Sequence, residues 1–134
     1  MGSSVNKYFD IYEDWTDPVL NEEEVKTIKQ LRDEYPEIEK MFLSIQLEQF
    51  ILFSKKMLDY GKGNISLGGN MDNDEDILYS LTGIQIRLND KINRLKNLLK
   101  NGKNHVKDES IEDTFADISN YGVIAQIISR KQWR

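Results

Sequence analysis

Cysteine is absent from this 134-residue sequence, which excludes disulfide bonds, thiolate catalysis and cysteine-based zinc sites. Histidine occurs once, at His105, and no orienting partner is evident nearby in the sequence. We therefore interpret it as a solvated loop residue rather than a general base. No apolar run approaches the roughly 20 residues that a membrane span needs, and the amino terminus lacks the features of a signal peptide. These absences predict a cytoplasmic protein without a membrane partner.

Acidic residues outnumber basic residues in this chain. Eighteen Lys and Arg residues against 23 Asp and Glu residues give a net charge of -5. Because an acidic surface repels a phosphodiester backbone, a long nucleic acid is not an expected partner. A small anion needs only a few local donors, so that class of ligand stays open.

Patterns typical of β-strands are missing, and the sequence predicts an all-α bundle in a single domain, 1–134. Residues 1–20 form an irregular aromatic arm, and the helical core is expected over about 36–131. Capping and stop signals predict four main helices. These run from Asn21 to about Glu34, from Pro36 to Tyr60, from about Asp74 to Lys100, and from Asp108 or Glu109 almost to Trp133.

Apolar residues lie on two sides of the second predicted helix, as in a helix packed between neighbours. One stripe holds Ile38, Phe42, Ile45 and Leu52, and the other holds Leu43, Leu47, Ile51 and Leu58. The third helix has one seam, formed by Leu81, Ile84, Leu88, Ile92, Leu95 and Leu99. The apolar surface of the second helix and of the end of the fourth helix exceeds what one small bundle covers, so we expect a homodimer.

The connection between the second and third helices, MLDYGKGNISLGGNMDND, contains four glycines. Glycine lets backbone N–H groups approach an anion or a planar base closely, and the loop adds polar side chains such as Lys62 and Asn64. The sequence does not fit a P-loop, because no Gly-Lys-Ser/Thr follows and no strand precedes it. A flexible crossover explains the glycines equally well.

Acidic residues on the fourth helix share one face with Asn120: Glu109, Asp113 and Asp117. A solvated face is one interpretation. However, carboxylates four residues apart repel each other, and the same face continues into Ile124. We therefore favour a polar cavity, in which Arg87, Lys91 and Arg94 of the third helix compensate the acids. Oxygen donors of this kind also suit Mg²⁺, and the spacing does not separate a metal site from salt bridges.

Three motifs follow one another in the chain: KMLDYGKGN, RLNDKINRLKNLL and ESIEDTFADISNY. This order resembles the first of the nucleotide-modification-associated domain families, found in phages and their bacterial hosts. The resemblance covers about Glu48–Ile128. The tryptophan expected shortly after Asp-Tyr-Gly is replaced here by KGNISLGG. The motif positions are Lys56, Asp59, Tyr60 and Gly61; Lys91 and Arg94; and Glu109, Ser110, Asp117, Asn120 and Tyr121.

The resemblance implies a phage or bacterial protein that handles a nucleotide or a nucleotide-derived small molecule, with DNA precursors as one class. The predicted substrate-binding residues are Lys56, Asp59, Tyr60, Gly61, Asn64, Arg87, Lys91, Arg94 and Asn120. In an enzymatic version, Asp113 and Asp117 are catalytic and bind Mg²⁺ together with Glu48 and Glu109, for phosphohydrolysis.

Three alternatives accompany this interpretation. The chain is more distantly similar to all-α nucleotide pyrophosphohydrolases, which bind Mg²⁺ through acids on two helices and act as dimers. Their tandem Glu-Glu-x-x-Glu pattern is not present in the second helix. A non-catalytic viral protein that sequesters a nucleotide immune signal, and so evades host defence, would need only the cations, aromatics and loop. A helical interaction module would need no ligand.

Overall fold

The computed structural model of the chain describes residues 19–102 and 110–134. These residues contain five helices and no strand, so the predicted all-α class is confirmed. His105 and all but the last two residues of the predicted aromatic arm lie outside the described residues. The helices are α1 (Glu22–Glu34), α2 (Pro36–Tyr60), α3 (Gly63–Ser66), α4 (Asp74–Asn101) and α5 (Ile111–Ser129).

Local signals set most of the helix ends. Asn21 and Glu24 form a capping box at the start of α1, with reciprocal bonds of 2.8 and 2.9 Å. Asn73 caps α4, and Gly102, with φ +66°, ends it. The predicted start of the fourth main helix was two or three residues too early. Ser110 is its N-cap and accepts a hydrogen bond from the amide of Asp113, so α5 begins at Ile111.

The chain divides into two compact units, with the boundary between Leu52 and Phe53. In the described part of the first unit, residues 19–52, Glu39 is the buried side chain. Its carboxylate accepts a 2.7 Å hydrogen bond from Arg32 Nε, and this bond raises the pKa of Arg32 above its ordinary value. The apolar side chains of Ile38 and Phe42 are 63% and 61% exposed.

The second unit contains the described hydrophobic core. Its centre is Ile128, which is fully buried, with a cluster from the loop, α4, α5 and the segment after α5 around it. Phe53 and Met57 of α2 pack against this cluster. The buried members are Ile65, Met71, Ile77, Ile84, Ile124, Ile128 and Trp133.

The apolar seam predicted on α4 is only partly buried. Ile84 and Leu95 are buried, but Ile92 and Leu99 are 44% and 65% exposed. Leu98, which is 8% exposed, takes the inward place expected of Leu99. No helix within 19–102 or 110–134 is long and apolar enough to span a membrane.

Candidate functional site

A recess of about 390 Å³ lies within the second unit. The end of α2, the glycine loop, α4, α5 and the segment after α5 each contribute to its wall. The residues on α2, Phe53, Lys56, Met57 and Tyr60, follow the spacing of one helix face. The rest of the lining is Gly61, Asn64, Ile65, Arg87, Lys91, Asp117, Asn120, Tyr121, Ile124 and Trp133.

Two lysines from different helices converge on one carboxylate in this recess. Lys56 Nζ lies 3.3 Å from Asp117 Oδ1, and Lys91 Nζ lies 3.0 Å from Asp117 Oδ2. The Asp117 side chain is 23% exposed, whereas that of Lys56 is 51% exposed. Each oxygen of this carboxylate therefore has an ammonium partner, and both ammonium groups lie at the wall of the recess.

Arg87 joins the glycine loop to α5. Its Nη2 donates a 3.0 Å hydrogen bond to the backbone carbonyl of Asn64, and its guanidinium carbon lies 5.9 Å from the centre of the Tyr121 ring. A cation at this distance from a ring face is attracted by the ring quadrupole. Because Arg87 and Lys91 are four residues apart on α4, both side chains reach the same recess.

The loop that carries Asn64 is fastened to α4 and to the chain after α5. Ser80, which is 1% exposed, donates a 2.7 Å hydrogen bond to the carbonyl of Ile65. Trp133 Nε1 donates to the carbonyl of Lys62 at 3.2 Å. These bonds hold α3, the short helix missing from the prediction, in a loop that otherwise contains glycines at positive φ.

Seven of the nine predicted substrate-binding residues line the recess: Lys56, Tyr60, Gly61, Asn64, Arg87, Lys91 and Asn120. Asp59 and Arg94 are not in the lining. Asp59 is exposed, and Arg94 Nε donates a 3.2 Å hydrogen bond to Thr114 Oγ1 near the start of α5. The side chain at position 94 therefore reaches α5 one turn before Asp117.

The predicted catalytic and metal-binding acids occupy different environments. Asp117 lines the recess, but Asp113 is exposed and accepts a 3.2 Å hydrogen bond from the Ser110 amide as part of a capping box. Glu48 is exposed and belongs to the first unit, and Glu109 lies outside the described residues. Within 19–102 and 110–134, no three His, Asp or Glu side chains are grouped so that they could hold a metal ion. Magnesium binding stays a prediction.

Three aromatic residues that line the recess, Phe53, Tyr121 and Trp133, were not predicted as site residues. Phe53 and Trp133 meet edge to face, with ring centres 6.3 Å apart, and Trp133 is 6% exposed. Tyr121 belonged to a motif but was not predicted to line a site. The spacing of Phe53, Lys56, Met57 and Tyr60 on one helix face was a usable signal, whereas nothing near Trp133 in the sequence indicates its contact with Lys62.

One family model matches the part of the chain that forms most of the recess. The family described as "Nucleotide modification associated domain 1" matches residues 56–128, more than half of the chain. All the lining residues except Phe53 and Trp133 fall inside this range. No curated protein and no solved structure matches the chain. The chain belongs to the nucleotide modification associated domain 1 family.

Proposed function

We propose that this protein binds a phosphorylated nucleoside in the recess of its second unit. The observation that carries the proposal is the convergence of Lys56 and Lys91 on Asp117 beside an aromatic wall. Ammonium groups are donors suited to phosphate oxygens, and aromatic faces suit a base. The family description supports a nucleotide as the ligand.

The phosphate lies on the lysine side of the recess in this proposal. Lys56 and Lys91 each present a charged donor at the wall, and Arg87 adds a guanidinium already oriented by Asn64 and Tyr121. Lys56 on α2 and Lys91 and Arg87 on α4 all line the same recess. A phosphate bound there can therefore receive several charge-assisted hydrogen bonds at once.

The nucleoside lies toward the aromatic side. Tyr60 is 66% exposed at the lining of the recess and offers a ring face to an incoming base. Stacking of a base on an aromatic side chain contributes about 1–3 kcal/mol. Phe53 and Trp133 also line the recess and add apolar surface, and the Trp133 indole N–H donates a hydrogen bond to the carbonyl of Lys62.

Binding is the function that this geometry supports best. Both oxygens of Asp117 bond to lysines, and Asp113 serves as a helix cap, which supports binding over a metal-assisted reaction through these two acids. Magnesium-dependent phosphohydrolysis would convert the nucleotide, whereas a sequestering protein would release it unchanged. Mass spectrometry of nucleotide recovered after incubation with and without Mg²⁺ distinguishes these two outcomes.

A ligand panel with matched lysine variants tests the proposal. Thermal unfolding is measured with deoxynucleosides and with their mono-, di- and triphosphates. A ligand at 100 times its Kd stabilises the folded state by about 2.7 kcal/mol, which is easily seen. Lys56→Met and Lys91→Met should each weaken binding by about 10- to 100-fold, the loss of one charged hydrogen bond.

Lys55→Met is the matched control, because Lys55 is the neighbouring residue on α2, is exposed and is not in the lining. It should leave affinity within about twofold. The proposal is contradicted if no nucleotide of any phosphate length raises the melting temperature. It is equally contradicted if Lys55→Met weakens binding as much as Lys56→Met does.

A further inference from the structure

Asp117 occupies the position in the recess that an anion would take. Its Oδ1 and Oδ2 lie 3.3 and 3.0 Å from the ammonium groups of Lys56 and Lys91, and phosphate oxygens are anionic acceptors of the same kind. We infer that Asp117 is an internal counterion that a terminal phosphomonoester displaces. The ligand class is then a nucleoside monophosphate bound without a divalent metal. This inference rests on the proposed function and specifies its ligand.

The charge of the lining residues favours a monoester over a longer phosphate chain. The lining contains three cationic side chains, Lys56, Arg87 and Lys91, and one anionic side chain, Asp117, which leaves a net charge of +2. A phosphomonoester carries about -1.5 to -2 at pH 7. A triphosphate brings more negative charge than these side chains neutralise.

Lys56 and Lys91 can exchange the Asp117 carboxylate for a phosphate at a small cost in free energy. Lys56 and Lys91 are 51% and 28% exposed, and flexible four-carbon stems carry their ammonium groups. An ion pair with an exposed partner such as Lys56 contributes little to stability, so Asp117 can release Lys56 at little cost. A phosphomonoester has three terminal oxygens, which is enough to replace both contacts of the carboxylate and to reach Arg87 as well.

Removal of the Asp117 charge should tighten phosphate binding if Asp117 is a displaced counterion, but not if it is a metal ligand or a catalytic acid. In Asp117→Asn the phosphate no longer meets a negative neighbour. One like charge at about 4–5 Å in water changes a binding constant roughly fivefold, and a dianion feels it about twice over. Isothermal titration with a deoxynucleoside monophosphate in EDTA should therefore give binding about 5- to 25-fold tighter than in the unmodified chain. A metal ligand or a catalytic acid at this position would instead give weaker binding or lost turnover.

Asp90→Asn is the matched control. It removes the same charge from an exposed position on α4 next to Lys91, and Asp90 is not in the lining. Its affinity should stay within about twofold of the unmodified chain, which separates the local effect of Asp117 from the effect of net charge.

The unmodified chain supplies a second measurement that needs no variant. In EDTA, the monophosphate should bind more tightly than its parent nucleoside and more tightly than the triphosphate, and added Mg²⁺ should leave this order unchanged. Unchanged or weaker binding by Asp117→Asn overturns the inference, as does tighter, Mg²⁺-dependent binding of the triphosphate. In both of those cases a nucleotide still binds, so the proposed function stands. If no nucleotide binds at all, the proposed function itself fails.

Discussion

Ser80 connects the stability of the second unit to the shape of the recess. Its side chain is 1% exposed, and its hydroxyl donates a 2.7 Å hydrogen bond to the carbonyl of Ile65, a buried residue of α3 that lines the recess. In Ser80→Ala this carbonyl stays buried and loses a donor. Leaving one buried polar group unsatisfied costs about 1–3 kcal/mol. We expect the free energy of unfolding to fall by that amount.

Thermal and urea unfolding measure the effect. For a unit of this size, each kcal/mol lowers the melting temperature by about 4–8 °C. Ser129→Ala is the control, because Ser129 is exposed and its 2.8 Å bond goes to Ala125 within the same helix. Its effect should stay within about 0.5 kcal/mol. Equal stability of the Ser80→Ala and Ser129→Ala proteins would refute the view that Ser80 fastens the loop to α4.

Two further predictions concern the glycine loop and the exposed face of α2. Gly68 has φ +80° and Gly63 does not have positive φ, while a Cβ at either position meets nothing within 4 Å. Gly68→Ala should therefore cost about 1–2 kcal/mol in chemical unfolding, whereas Gly63→Ala, within α3, should be neutral or stabilising by up to about 1 kcal/mol. Equal effects would contradict a conformational origin. Ile38 and Phe42 are more than half exposed, so we expect self-association that Phe42→Glu weakens. Sedimentation showing a monomer at all concentrations would contradict this expectation.

Helix boundaries were predictable where the signal is local. Asn21 with Glu24, the Tyr35–Pro36 pair, and Asn73 followed by acids each act on the few residues beside them, and the observed ends agree. Asp113 shows the limit of this reasoning. Its spacing from Asp117 indicated a ladder of acids, but its distance from Ser110 was a capping signal, and the cap sets its orientation.

Much of the recess was predictable from helical spacing, because residues three and four apart share a face. Lys91 with Arg87, and Asp117 with Asn120, were placed on common faces in this way. Trp133 was not predictable, since it bonds to the carbonyl of Lys62, 71 residues away, after the last helix has ended. Contacts between distant parts of the chain depend on how the helices pack, and local sequence patterns do not indicate that packing.

The helix α3 was also missed, because contacts from other parts of the chain stabilise it. Four residues with a glycine at the first position are too few to form a stable helix alone. Burial of Ile65 and the bond from Ser80 stabilise it from outside. The chain divides into two compact units, and the single domain over 1–134 stays a prediction.

In the proposed function, the recess of the second unit receives the phosphate of a nucleotide between α2 and α4. A crystal structure of the full chain grown with a deoxynucleoside monophosphate tests it most directly. We expect phosphate density within hydrogen-bonding distance of Lys56 and Lys91, with Asp117 turned away from at least one of them and the base beside Tyr60. Nucleotide density at any other place on the protein, with the recess unchanged, would contradict it.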